Sequence, residues 1–193
     1  MIEVEKYFEI YEGTPTFKER RSSVHYSDYR FRKAEEQAKM TPVSIDMIIE
    51  YINQFLEAIG INKCKSPIIK IKETSIDYKK IKQENNLKDE RDIVWLKFTT
   101  DGFLGVVATS NDINFVMPES KDVYNEKLHK TWFYNTSGIL VHHVNKKWDE
   151  SFALVFPLKN KPSKYNRGDI ERAIGNYLID KQVPIIDFYS HNY

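Results

Sequence analysis

The stretch from residue 92 to 109 constrains the fold most. Residues 93–100 and 103–109 are two runs rich in β-branched and aromatic side chains, and Asp101-Gly102 separates them. Their spacing predicts a β-hairpin. A two-residue Asp-Gly connection implies a type I′ turn, whose two central positions both need positive φ. The period of two here contrasts with residues 43–59. There Ile45, Ile48, Ile49, Ile52, Phe55, Leu56 and Ile59 recur at i, i+3, i+4 and i+7 through four turns, which predicts an amphipathic helix. Thr41-Pro42 or Ser44 opens that helix and Gly60 closes it. Its isoleucines lower helix propensity, so packing against a sheet must hold it.

Weaker signals fill the rest. Val4, Tyr7, Phe8, Ile10 and Tyr11 suit a short helix or an edge strand. Residues 66–73 read as a strand, 74–85 as a short exposed helix, 114–117 as a short strand and 120–130 as weakly helical. A second hairpin is expected from 131–134 to 139–144, through Asn135-Thr136-Ser137-Gly138. A turn at 145–150 leads to a strand at 151–157. A helix over 168–181 presents Ile170, Ile174, Tyr177 and Leu178 on one face, and 183–189 reads as a final strand. Sequential hairpins, a helix and a returning strand predict an α+β fold: an antiparallel sheet with the helices at about 43–59 and 168–181 packed mainly on one face. No repeat or linker divides residues 1–193. Residues 1–40 are expected to be peripheral or partly extended.

Charge and composition bound the function. The 193 residues carry a formal charge of +1, so attraction to nucleic acid or anionic membrane must come from a local patch. The single cysteine, Cys64, excludes an internal disulfide and a thiolate-rich zinc site. Lys63 and Lys65 beside it would lower its pKa. The acidic start lacks the pattern of a signal peptide, and no apolar window reaches the length of a membrane span. A cytoplasmic location is therefore expected. Abundant Ile, Lys, Asn and Tyr with sparse Ala, Gly and Pro is a composition associated with AT-rich genomes of bacteria and phages. GxGxxG, GxxxxGK[ST] and GxSxG are absent from the sequence.

Four constellations carry polar chemistry. Lys159, Lys161, Lys164 and Arg167 run without an acid into Gly168-Asp169 at a helix start, where N–H groups and the helix dipole favour an anion. Asp169 competes with it as an ordinary cap. Arg20, Arg21, Tyr26, Tyr29, Arg30 and Arg32 interleave cations with aromatics, as single-stranded nucleic acid or an acidic protein surface would require. His142-His143, on an expected strand, would face opposite sides of it. Asp187 and His191 at the chain's end could serve as base and orienter.

The patterns for catalysis fail one after another, whereas two basic segments rich in recognition residues remain. The expected function is a non-enzymatic binding or regulatory protein of the inhibitor kind. It would meet a macromolecular partner, protein rather than nucleic acid, through Arg20, Arg21, Tyr26, Tyr29, Arg30 and Arg32. Lys161, Lys164, Arg167 and Gly168 would form an anion site. No metal or cofactor is expected. The alternative is a phosphoester hydrolase or nuclease using His142, His143, Asp187 and His191. A third reading is a small-molecule sensor with its anion site at the last helix.

Overall fold

The computed structural model describes residues 2–15, 28–70, 78–84, 86–111 and 136–192. A 3-10 turn at Glu5–Phe8 leads to α1 (Asp28–Ala38), α2 (Ile45–Ala58), β1 (Ile68–Lys70), α3 (Tyr78–Glu84), β2 (Ile93–Phe98), β3 (Leu104–Ser110), α4 (Thr136–His143), β4 (Phe152–Pro157) and α5 (Arg167–Asp180). The four strands form one antiparallel sheet in the order β1-β4-β2-β3.

Helix α2 follows its sequence signals. Ser44 caps its start by accepting from the Met47 N–H at 3.4 Å. Gly60 ends it at φ +86°, with Ile61 N–H donating to Leu56 O and Gly60 N–H to Glu57 O. This paired pattern satisfies two of the last carbonyls. Ile48, Ile52, Phe55 and Leu56 are fully buried against Val94, Leu96, Phe98 and Leu154 of the sheet and Ile170, Ile174, Tyr177 and Leu178 of α5. This main core puts α2 and α5 on one face, as the periodicity predicts. A smaller cluster lies on the opposite face near β3. There Val106 and Phe103 meet Ala34 of α1, Leu140 and Val141 of α4, and Trp148.

The β2–β3 hairpin forms in the expected place with a different turn. Of its two expected central residues only Gly102 has positive φ, +87°. Thr99 N–H donates to Phe103 O and Gly102 N–H to Thr99 O, each at 2.9 Å, so the loop is the three residues Thr100 to Gly102. Such a loop needs one left-handed residue instead of two. The Asp101 carboxylate accepts from the Thr99 hydroxyl and the Lys146 ammonium, both at 2.5 Å, which holds that side chain across the turn. One residue on, the register slips between Lys97 and Phe98, leaving Gly105 as the extra residue. A Cβ at Gly105 would stand 2.2 Å from the Trp148 ring, so the bulge seats the indole.

Two expected strands are not strands. Residues 139–144 belong largely to helix α4, with Ile139, Leu140 and Val141 buried. A short apolar run looks alike in a buried strand and a buried helix, and here packing on α1 and β3 decides. Residues 183–189 make a single parallel bridge, Leu104 to Ile185, and then turn. Pro184 has no N–H to give a ladder. Ile186 and Asp187 donate to Leu104 O and Gly105 O at 2.9 Å, and Ser190 N–H folds back to Asp187 O. The tail thereby covers part of the β3 edge. The expected elements at 114–117, 120–130 and 131–134 lie outside the described residues.

The N-terminal segment packs on α5. Tyr7 is buried, with its ring edge toward Tyr177 and its hydroxyl on Asp180 at 2.5 Å.

Candidate functional site

The tail after the Ile185 bridge positions the most concentrated polar chemistry. The backbone bond to Gly105 O fixes Asp187 over the end of β3. Arg30 reaches it from α1, donating through Nη2 to Oδ1 at 2.7 Å, and the Ser137 hydroxyl donates to Oδ2 at 2.7 Å from the start of α4. Arg30 is 6% and Asp187 2% exposed, so this is an internal ion pair. It joins two residues that sequence reasoning assigned to different roles. Arg30 is not part of an outer surface, and its charge complementarity is spent within the fold.

His191 lies four residues on and has a separate partner. Its Nε2 meets Asn176 Oδ1 at 3.2 Å. Asn176 Nδ2 donates to Tyr7 O and Glu9 O, which fixes Oδ1 as the acceptor. Nε2 therefore carries the proton, and the bare Nδ1 has no hydrogen-bond partner. Burial pushes the His191 pKa down to about 3, against the pull of Asp187, so the ring is neutral. The imidazole packs on the backbone of α5, where a Cβ at Gly175 would lie 2.1 Å from it. Asn192 completes the knot: its amide donates to Asn176 Oδ1 and its carbonyl accepts from Tyr11 N–H, each at 3.0 Å. Asp187 and His191 are thus two locks on the tail, with no hydrogen bond between them.

His142 and His143 end helix α4 and are both exposed. His143 pairs with Glu35 of α1 at 2.7 Å and meets the Phe31 ring edge-on. At about 1.5 Å of rise per residue, the pair sits roughly 8 Å along the axis from Ser137, which touches Asp187. The expected strand geometry, one histidine on each face, does not occur.

The basic loop brings its cations to carboxylates. Lys161 and Arg167 converge on Asp92 at 3.5 and 3.4 Å, and Lys164 meets Glu5 at 3.2 Å. Asn166, immediately before Arg167 and Gly168, accepts from Asp169 N–H, and the Asp169 carboxylate accepts from Asn166 N–H, both at 2.9 Å. This capping box takes one of the amides that an anion would use. Asp92 and Glu5 are distant in sequence, so no local pattern announces them. Beyond this turn, Glu171 is 5% exposed, and burial pushes its pKa up to about 8 against the opposing charges of Arg172 and Arg167.

Of the aromatic-basic segment, Arg20, Arg21 and Tyr26 lie outside the described residues. Tyr29 is half-buried against Tyr189, and Arg32 is exposed with no ion pair among the described residues. Burial raises the Cys64 pKa, opposite to the direction its lysine neighbours suggest. Trp148 is core, Trp95 is half-buried, and Trp132 lies outside the described residues.

Sequence reasoning missed a cleft of about 400 Å³ where the N-terminal segment, α1, α5 and the tail meet. Lys6, Tyr7 and Tyr11 line one side, Lys33 and Gln37 a second, and Asp180 and Phe188 close it. Its residues come from both ends of the chain, so no window of sequence contains it. Among the described residues no helix is long and apolar enough to cross a membrane, and no cluster of three or more metal-ligating side chains occurs. Comparison with known proteins finds no matching family model, no significantly similar curated protein and no significantly similar solved structure.

Proposed function

We propose that this chain acts by binding a macromolecular partner, a protein with an acidic face in preference to nucleic acid, and not by catalysis. One observation carries the reading: Asp187 and His191, two of the four groups the hydrolase reading needs, are used to hold the fold. Asp187 is ion-paired with Arg30 and accepts from the Ser137 hydroxyl, and His191 is sealed and neutral. What faces solvent from α1 is recognition chemistry. Arg32 is exposed and free of ion pairs among the described residues, Lys33 reaches the cleft, and Tyr11 is 37% exposed beside it. Arginine and tyrosine are favoured anchors at protein interfaces. Of the neighbouring acids, Glu35 faces His143 and Glu36 pairs with Lys33, and neither forms an ion pair with Arg32.

The test is capture of a partner by the tagged full chain, with and without nuclease, compared with Arg32→Glu. Loss of a nuclease-resistant protein partner in the variant, at unchanged melting temperature, supports the reading. Capture that is indifferent to Arg32→Glu refutes it. A partner lost with nuclease and steeply with salt would instead indicate phosphate contacts.

A further inference from the structure

We propose that the outer edge of β1 receives an extended segment of a partner protein as an added strand, with one apolar residue of that segment flanked by acidic ones. The inference stands on β1 and does not depend on Arg32, because α1 packs near β3 at the other edge of the sheet. The ladder fixes which groups β1 presents. Pro67 O accepts from Val155 N–H at 2.8 Å, and Ile69 stands opposite Ala153. Antiparallel bonding alternates, so Ile69 spends its N–H and C=O on β4, whereas Ile68 and Lys70 direct theirs away from it. Among the described residues nothing pairs with that outer side. A row of unpaired backbone groups on an edge strand is a template for another strand.

The side chains supply a seat and select its occupant. Ile68 is 43% exposed, and with Ile45, Lys70, Ser151 and Phe152 it lines a hollow of about 420 Å³. Ile45 and Phe152 pack on the main core, so the hollow opens at the core's margin and has room for an apolar side chain. Charge then decides what kind of strand fits. Lys65 and Lys70 flank Ile68, are exposed and form no ion pair among the described residues, and no carboxylate lines the hollow. A second copy paired on β1 would bring its own Lys65 and Lys70 to this edge, and like charges across a strand pair are destabilising. An acidic strand meets both cations. Side chains alternate between faces, so acids two residues before and after the apolar one share its face.

The probe is a labelled peptide, Thr-Glu-Thr-Ile-Thr-Glu-Thr, which puts isoleucine and both glutamates on one face in either strand direction. Its binding to the full chain is read by fluorescence anisotropy, with lysine for both glutamates and serine for isoleucine as contrasts. We expect saturable binding of the probe and at least ~10-fold weaker binding of each contrast. Lys70→Glu should weaken the probe about 5- to 10-fold, as charge reversal at an exposed pair does. Ile68→Pro removes the outward N–H, leaves the bonds to β4 in place and should weaken it at least ~10-fold. Arg32→Glu should change nothing, which separates this edge from the surface of α1. Saturating probe should also slow amide hydrogen exchange at Ile68 and Lys70 and leave Ile69 as it was. If Ile68→Pro lowers the melting temperature, Lys70→Glu and the exchange data decide. No saturable binding, equal affinity for the lysine peptide, or equal weakening by Arg32→Glu and Lys70→Glu would each overturn the proposal. So would a dimer of the parent chain that Ile68→Pro dissociates, since that assigns the edge to a second copy.

Discussion

The Arg30–Asp187 pair makes two readings of Arg30 quantitatively distinct. A surface recognition residue can be replaced with almost no change in stability. A residue at 6% exposure, 2.7 Å from a carboxylate that is itself 2% exposed, cannot. Arg30→Met keeps much of the aliphatic stem and removes the guanidinium from beside the Asp187 carboxylate in a low-dielectric site. Removing one partner of a buried pair costs about 3–5 kcal/mol. For a chain of this size each kcal/mol moves the melting point by about 2–4 °C, so the expected fall is roughly 6–20 °C. Urea unfolding should show a lower midpoint at unchanged slope. The double variant Arg30→Met, Asp187→Leu removes both charges and should recover most of the loss, because apolar replacement of a buried pair is often neutral. A loss under ~1 kcal/mol for Arg30→Met, or no recovery in the double variant, would refute the assignment of this pair as an internal lock.

Two further predictions concern the same tail. Gly175→Ala should destabilise by about 1–3 kcal/mol although alanine is the better helix former, because the new methyl meets the His191 ring at 2.1 Å; adding His191→Ala should relieve it. A stabilised single variant would show that the ring does not pack there. The second reads pH in urea midpoints. Glu171, at about 8 when folded and near 4.5 otherwise, holds a proton in the fold that the unfolded chain releases between those values, so stability falls as pH rises through the window. Relative to the parent, Glu171→Gln should therefore gain about 3 kcal/mol from pH 4.5 to 7. His191, lowered to about 3, has the opposite sign: the unfolded chain takes up the proton first, and stability falls as pH drops from 6.5. The parent should lose about 1.4 kcal/mol per pH unit there relative to His191→Leu. Parallel curves for either variant would refute the corresponding burial.

The legible parts of the fold are those where one strong period coincides with its own punctuation. In α2 the isoleucine rhythm ends in a glycine whose left-handed conformation closes the helix, and β2–β3 carries Asp-Gly between two β-rich runs. Both elements can be assigned from residues within reach of one another. The misread elements lack that agreement. Residues 139–141 are apolar and partly β-branched, yet they are helical, because the smaller core beneath them is built by Ala34 and Val106, distant in sequence. The final segment looks like a strand, but Pro184 and the turn at Ser190 limit it to one bridge on β3.

The site was less legible for a related reason: the polar residues that sequence reasoning singled out are paired by topology, not by spacing. Arg30 and Asp187 are 157 positions apart, and Lys164 and Glu5 are 159 apart. Scanning the basic loop finds its cations and not the carboxylates brought to them, so a stretch without acids resembles an unneutralised anion site. A residue's capacity to bind something outside the fold depends on what the fold has already given it. By that criterion Arg30 is spent within the fold, whereas Arg32, exposed and without an ion pair among the described residues, is not.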